Sequence, residues 1–161
     1  PASTGHAVLP GQTPEEKEKR MFAALKSALS GKVAKFSGRK DFLEAVCAAA
    51  ALVAFADGEA SDAEIDSTIK SITSNANLSG SFSTREIETT AETMLNRAKG
   101  GRVGRNGLLR EIEDIKADHD MCEVVLLTAL DVADNDGISD EEKAVLDKIA
   151  KALSLNLANY F

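Results

Sequence analysis

Two stretches of this sequence, residues 41–56 and residues 119–133, place apolar side chains on every side of a helix. A helix that is apolar all round is a buried one, so each stretch predicts a central helix of the fold. No segment alternates apolar and polar residues over the length that a half-buried strand needs. The prediction is an all-α fold of about seven helices, with these two helices at its centre.

An acidic loop that contains glycine follows each buried helix, and an amphipathic helix follows each loop. The first reads AFADGEASDAEI, residues 54–65, and the second reads VADNDGISDEEK, residues 132–143, whose loop is one residue longer. The aligned positions are Ser61 with Ser139, Asp62 with Asp140, and Glu64 with Glu142. This similarity predicts a pseudo-repeat.

The rest of the chain divides into further amphipathic helices and breaks. Residues 1–12 are predicted to form an irregular N-terminal arm that adds nothing to the core and contacts another chain, before a helical domain over residues 13–161. The sequence NANLSGSF, residues 75–82, is predicted to be a loop. The Gly/Arg-rich sequence KGGRVGRNG, residues 99–107, is predicted to break the chain between two helices.

Composition limits the class of protein. A length of 161 residues suits one domain, and the net charge of -7 argues against nucleic acid as a partner, because phosphate binding needs a basic surface. No apolar run reaches the ~18 residues of a membrane span. Cys47 and Cys122 lie in apolar helical runs and predict two reduced core thiols. With no secretory signal visible, the expected location is cytoplasmic, or a virion if the protein is phage-borne.

Helix capping explains part of the acidic charge in the two loops. The sequences SDAE and SDEE predict capping boxes, Ser61 with Glu64 and Ser139 with Glu142. The neighbouring acids fall in first helical turns, where the helix dipole favours negative charge. These carboxylates therefore need no metal.

The other aspartates of the two motifs lie at or just after helix C-terminal ends, where the dipole opposes negative charge. They are Asp57, Asp131, Asp134 and Asp136. Such acids favour a bound cation, and oxygen ligands select calcium, magnesium or manganese over zinc or copper. Solvated loop acids are the alternative. A self-contained EF-hand is excluded, because Gly58 at its sixth position would put Val53 at the first. Gly137 at that position would put Lys143 at the twelfth.

The two motifs, ALVAFADGEASDAEI and ALDVADNDGISDEEKAVL, resemble the paired acidic motifs of the TerB-like tellurite-resistance family, over roughly residues 40–155. The resemblance implies a helical, non-enzymatic domain linked to stress response, metal sensing and membrane-associated complexes. It also implies a divalent-metal-binding surface formed by Asp57, Glu64, Asp136 and Glu142. The second motif departs from the family pattern at DNDG, which leaves open whether Asp134 or Asp136 takes the role of Asp57.

Other features of the chain do not indicate an enzyme. The Gly/Arg-rich segment has neither the GK[ST] ending nor the preceding strand of a P-loop. Its cations form a local basic patch that is either solvated or docks on an acidic partner, which includes the acidic loops of a second copy: Arg97, Lys99, Arg102, Arg105 and Arg110. No serine or cysteine has an evident base.

The expected function is a non-enzymatic, divalent-cation-binding interaction module of TerB-like type, with Ca, Mg or Mn as the cofactor. The candidate metal ligands are Asp57, Glu64, Asp134, Asp136 and Glu142. A protein partner is expected, either a second copy or a larger assembly. The alternative function is a structural or interaction subunit of a larger, possibly phage, assembly whose N-terminal arm contacts a neighbour.

Overall fold

The computed structural model describes Pro14, Glu16, residues 31–134 and residues 137–160. The predicted arm, residues 1–12, lies outside the described residues, as does Asp136 in the second acidic loop. The division between the arm and the helical domain therefore stays a prediction.

The described residues are helical or irregular, and none of them lies in a strand. The helices are α1 (Lys40–Ala54), α2 (Asp62–Thr73), α3 (Ala76–Ser79), α4 (Thr84–Lys99), α5 (Arg102–Glu113), α6 (His119–Ala133) and α7 (Asp140–Ala152). A helical turn at residues 31–34 precedes them, and a 3-10 helix at Leu157–Tyr160 follows them. The predicted all-α class is confirmed.

The two helices predicted to be central, α1 and α6, are the most buried of these helices. Eleven of the 15 residues of α1 are buried, and ten of the 15 residues of α6. Helix α1 packs against α2, α4, α5, α6 and α7. The polar residue in this core, Thr128, donates a hydrogen bond to the Val124 carbonyl at 2.7 Å. Among the residues that the structure describes, every helix is too short or too polar to cross a membrane.

The two loops after the buried helices repeat each other in local geometry. Ser61 and Ser139 both form the predicted capping boxes at the starts of α2 and α7. Gly58 and Gly137 both adopt positive φ, at 95° and 90°, which a residue with a Cβ adopts at a cost. The pseudo-repeat is therefore present in the backbone as well as in the sequence.

The register of the two loops differs from the one counted along the sequence. The first loop holds seven residues, 55–61, and the second holds six, 134–139, so the second loop is shorter and not longer. The cause is where the helices end. Phe55 is the C-cap of α1, and Asp134 is the C-cap of α6, so Asp134 takes the place of a phenylalanine. Compared with the first loop, the second loop has one residue fewer between its glycine and its capping serine: two residues separate Gly58 from Ser61, and one separates Gly137 from Ser139.

The predicted loop over residues 75–82 contains a short helix, α3, so this part of the prediction is wrong. Asn75 is its N-cap, and the side-chain oxygen of Asn75 accepts hydrogen bonds from the N–H groups of Asn77 and Leu78 at 3.0 and 3.2 Å. Leu78 is fully buried. The cap and the burial of this leucine stabilise a single helical turn in a segment rich in turn residues.

The Gly/Arg-rich segment is also mostly helical, because α5 begins at Arg102. Its internal glycines serve the packing of α5 against α4. A Cβ on Gly104 would lie 1.8 Å from the Arg97 carbonyl oxygen, and one on Gly107 would lie 2.9 Å from Arg97 Nη2. Glycine at these two positions allows the helices to approach closely, and the helix break is limited to Gly100 and Gly101.

Candidate functional site

The two acidic motifs line one groove, although they are far apart in the sequence. The groove has a volume of about 580 Å³, and its walls come from the ends of α1 and α6, from α2 and from the start of α7. We call it the acidic groove. Its acidic lining residues are Asp57 and Glu64 from the first motif and Glu141 and Glu142 from the second.

One oxygen of each of three carboxylates in the acidic groove is used in a local hydrogen bond. Oε1 of Glu64 accepts from the Ser61 N–H at 3.3 Å, and Oε1 of Glu142 accepts from the Ser139 N–H at 3.0 Å. Oδ1 of Asp57 accepts from the Glu59 N–H at 3.1 Å. No donor among the described residues bonds the second oxygen of these carboxylates. Helix capping thus positions Glu64 and Glu142, a turn hydrogen bond positions Asp57, and each carboxylate keeps one oxygen for a ligand.

The donors that line the acidic groove fit a hard cation in their chemistry. Besides the carboxylates, the lining includes the hydroxyl groups of Ser67, Thr68 and Ser139, and it contains no histidine or cysteine. Oxygen donors of this kind suit Ca²⁺, Mg²⁺ and Mn²⁺. Within the described part of the chain, however, no three acidic, histidine or cysteine side chains come together closely enough to hold a metal. A cation held by the described residues would therefore keep much of its water shell.

The candidate ligands divide into three groups. Asp57, Glu64 and Glu142 line the acidic groove as the motifs suggest. Asp134 is the half-buried C-cap of α6 and is not among the lining residues. Asp136 lies outside the described residues. Glu141 lines the groove and was not among the candidates, although its place beside Glu142 in the first turn of α7 could have indicated it.

The sequence model of the family described as "Tellurite resistance protein TerB" matches residues 43–160. The chain belongs to the TerB family. The match includes both acidic motifs and ends in the 3-10 helix, so it covers nearly all of the described fold. No curated protein and no solved structure matches the chain.

One aspartate at a helix C-terminal end in this TerB domain already has a partner. Nδ2 of Asn75 donates a short hydrogen bond to Oδ2 of Asp131. Asn75 is also the N-cap of α3, so this contact joins α3 to the last turn of α6. The position of the Asp131 carboxylate at a helix C-terminal end is therefore explained by a hydrogen bond from a neutral amide, and it does not require a bound cation. Residues 56 positions apart form the contact, and no local pattern in the sequence indicates it.

The two cysteines of the TerB domain are free thiols and are buried. Burial raises the pKa of Cys47 to about 12, so this thiol is protonated at neutral pH. Burial also raises the pKa of Cys122, whose Sγ lies 3.5 Å from the Ile115 carbonyl oxygen. Because the thiolate is the nucleophilic form, both environments disfavour covalent chemistry.

The predicted basic patch does not act as one surface. Arg97 pairs with Glu111 at 2.9 Å, and Lys99 lies 3.7 Å from Asp62. Arg102 and Arg105 instead line a second groove of about 450 Å³, together with Lys148 and apolar residues. Arg110 is exposed and lines neither groove.

Proposed function

We propose that this chain is a non-enzymatic TerB module that binds a hydrated divalent cation, Ca²⁺, Mg²⁺ or Mn²⁺, at the acidic groove, as part of a response to tellurite or metal stress. The observation that carries the proposal is the meeting of both acidic motifs on one groove. The proposed ligands are Asp57, Glu64 and Glu142, with one aspartate of the second loop, Asp134 or Asp136.

The electrostatics of the groove favour a cation. Among the described residues, no lysine or arginine forms an ion pair with Asp57, Glu64 or Glu142. Asp57 follows the C-terminal end of α1, where the helix dipole adds partial negative charge. Like charges gathered on one concave surface repel each other, and a divalent cation relieves that repulsion.

The absence of a catalytic step is part of the proposal. The protonated state of Cys47 supports it, because a thiol with a pKa near 12 is a poor nucleophile at neutral pH. A cytoplasmic location and a partner in a membrane-associated complex stay predictions. The alternative role as an assembly subunit depends on residues 1–12, which lie outside the described residues.

A calorimetric titration of the chelator-treated full chain with calcium, magnesium and manganese tests the proposal. We expect saturable binding of at least one of these cations, and Asp57→Asn should weaken it by about tenfold or more, since it removes one ligand charge. Asp66→Asn is the matched control, because Asp66 is exposed on α2 and does not line the groove. Absence of binding by all three cations, or an equal loss in the control, would contradict the proposal.

A further inference from the structure

A second groove lies between the end of α1, α5 and α7, and it combines an apolar floor with a positive rim. Its volume is about 450 Å³. The floor includes Leu52 and Phe55, which are buried, and Leu109 and Val145, which are half-buried. The cationic lining residues are Arg102, Arg105 and Lys148, and no acidic residue is among those that line it. We call it the basic groove.

The cations of the basic groove lack acidic partners within the described part of the chain. No ion pair there includes Arg102, Arg105 or Lys148, whereas Arg97 is paired with Glu111. Arg102 and Arg105 also lie in the first turn of α5, where the helix dipole is positive and opposes them. The groove is therefore suited to a ligand that brings carboxylates and covers an apolar floor.

The basic groove and the acidic groove are neighbours. Ala56 lines both, and they lie on the two sides of the turn that leaves α1, with Asp57 in one lining and Gly58 in the other. Helix α7 also contributes to both: Glu142 lies in the acidic groove, and Val145, one turn further on, lies in the basic groove.

Two adjacent patches of opposite charge are complementary to the same pair of patches after a two-fold rotation. We propose that the occupant of the basic groove is a second copy of this chain, which places the rim of its acidic groove against Arg102 and Arg105. The reciprocal contact forms at the same time, so the dimer is closed. The net charge of -7 on each copy opposes association and makes this a weak dimer. The same net charge opposes adsorption to nucleic acid or to an anionic membrane.

Sedimentation velocity in a buffer with chelator, over micromolar to submillimolar protein concentrations, tests the proposal. The full chain should show a concentration-dependent dimer. Arg102→Glu/Arg105→Glu makes both grooves negative, and Glu59→Lys/Glu141→Lys adds positive charge at Glu141 in the acidic groove and at the exposed Glu59, two residues after the groove residue Asp57. Each double variant alone should associate about tenfold or more weakly than the parent chain, because like charges then face each other. An equimolar mixture of the two variants should recover the association as a heterodimer.

The control is Arg85→Glu/Lys116→Glu, which makes the same charge change as the arginine variant at two exposed positions outside both grooves. It should dimerise as the parent chain does. Circular dichroism verifies that each variant folds, and Arg105→Gln replaces the double arginine variant if that one does not.

A parent chain that stays monomeric overturns the proposal, as does association that the charge changes leave intact. A mixture that fails to associate also overturns it, since the pairing of the two grooves is then wrong. The chelator removes the proposed cation, and Glu59 and Glu141 are outside the proposed ligand set. The result therefore stands independently of the cation titration.

Discussion

The two acidic motifs differ at the C-cap of the preceding helix. In the first motif the C-cap of α1 is Phe55, which is 6% exposed, whereas in the second the C-cap of α6 is the half-buried Asp134. Counted from these C-caps, Asp57 and Asp136 are both the third residue of their loops, and a glycine with positive φ follows each. The extra acid of the second motif thus takes the place of an apolar anchor. The comparison indicates that the loop backbone is repeated between the C-cap and the glycine, and on this count we propose Asp136, rather than Asp134, as the counterpart of Asp57 among the two alternatives.

The largest expected effects test whether the two helix ends that precede the acidic loops are equally part of the core. Val53 and Val132, which are 5% and 6% exposed, hold equivalent places near the ends of α1 and α6. Val53→Asp and Val132→Asp should each lower the free energy of unfolding by roughly 3 kcal/mol or more, because each buries an unpaired charge. Urea denaturation measures the loss. A variant with parental stability would show that its helix end is not core.

The cation-linked stability tests the ligand assignment. A cation at a hundred times its dissociation constant should stabilise the parent chain by about 2.7 kcal/mol if it binds only the folded state. Asp57→Asn and Asp136→Asn should each remove most of that gain, and Asp134→Asn should keep it. Thermal melts with and without calcium, magnesium and manganese provide the measurement. A larger loss in Asp134→Asn than in Asp136→Asn would reverse the register proposed for the second loop.

The two loop glycines should respond alike to a methyl group. Gly58→Ala and Gly137→Ala place a residue with a Cβ at positive φ but meet no atom within 4 Å, so each should cost about 1–2 kcal/mol in unfolding free energy. Gly104→Ala is the steric contrast and should cost more, because its Cβ would lie 1.8 Å from the Arg97 carbonyl oxygen. A smaller loss for Gly104→Ala in urea denaturation would refute close packing of α4 on α5.

The two capping serines should contribute equally and independently of metal. Ser61→Ala and Ser139→Ala each remove the hydroxyl that accepts the N–H of a glutamate three residues later, at 3.1 and 3.2 Å. Each change should cost ~1 kcal/mol with or without a divalent cation. If the loss appears only when the cation is present, the serines act through the metal site and the capping explanation fails.

The smallest effect is expected at the other end of α1, where Arg39 pairs with Asp41 at 3.0 Å. The hydrogen bond from Arg39 lowers the pKa of Asp41 below its ordinary value. A lowered pKa stabilises the fold above the pKa of the unfolded chain, and that stabilisation is lost as the pH falls through the folded value. Both side chains are half exposed, so water screens the pair. Arg39→Ala should therefore change stability slightly at neutral pH and not at all in strong acid, as unfolding measured against pH would show.

Local signals in the sequence were sufficient for most of the fold. Helices that are apolar all round have to be buried, and a Ser-x-x-Glu sequence before a helix forms its cap from residues three apart. The start of α6 at His119 and the capping boxes at Ser61 and Ser139 follow from such short-range patterns. At Gly104 the sequence prediction was wrong because packing between helices decided the structure. Gly104 was expected to help break the chain between two helices, but it lies inside α5. Glycine is needed there because a Cβ would collide with the Arg97 carbonyl oxygen of α4.

The sequence by itself determined the two buried helices, their acidic loops and the capped helices after them, because propensity and capping act over a few residues. Only the tertiary structure decided which carboxylates share a surface. Packing of α1 on α6 and α7 brings Asp57 and Glu142 to one groove. A hydrogen bond across the fold joins Asn75 to Asp131. Packing likewise places Arg105 in the same groove as Lys148, whereas Arg97 pairs with Glu111. These arrangements depend on residues far apart in the chain, whose proximity no local pattern encodes.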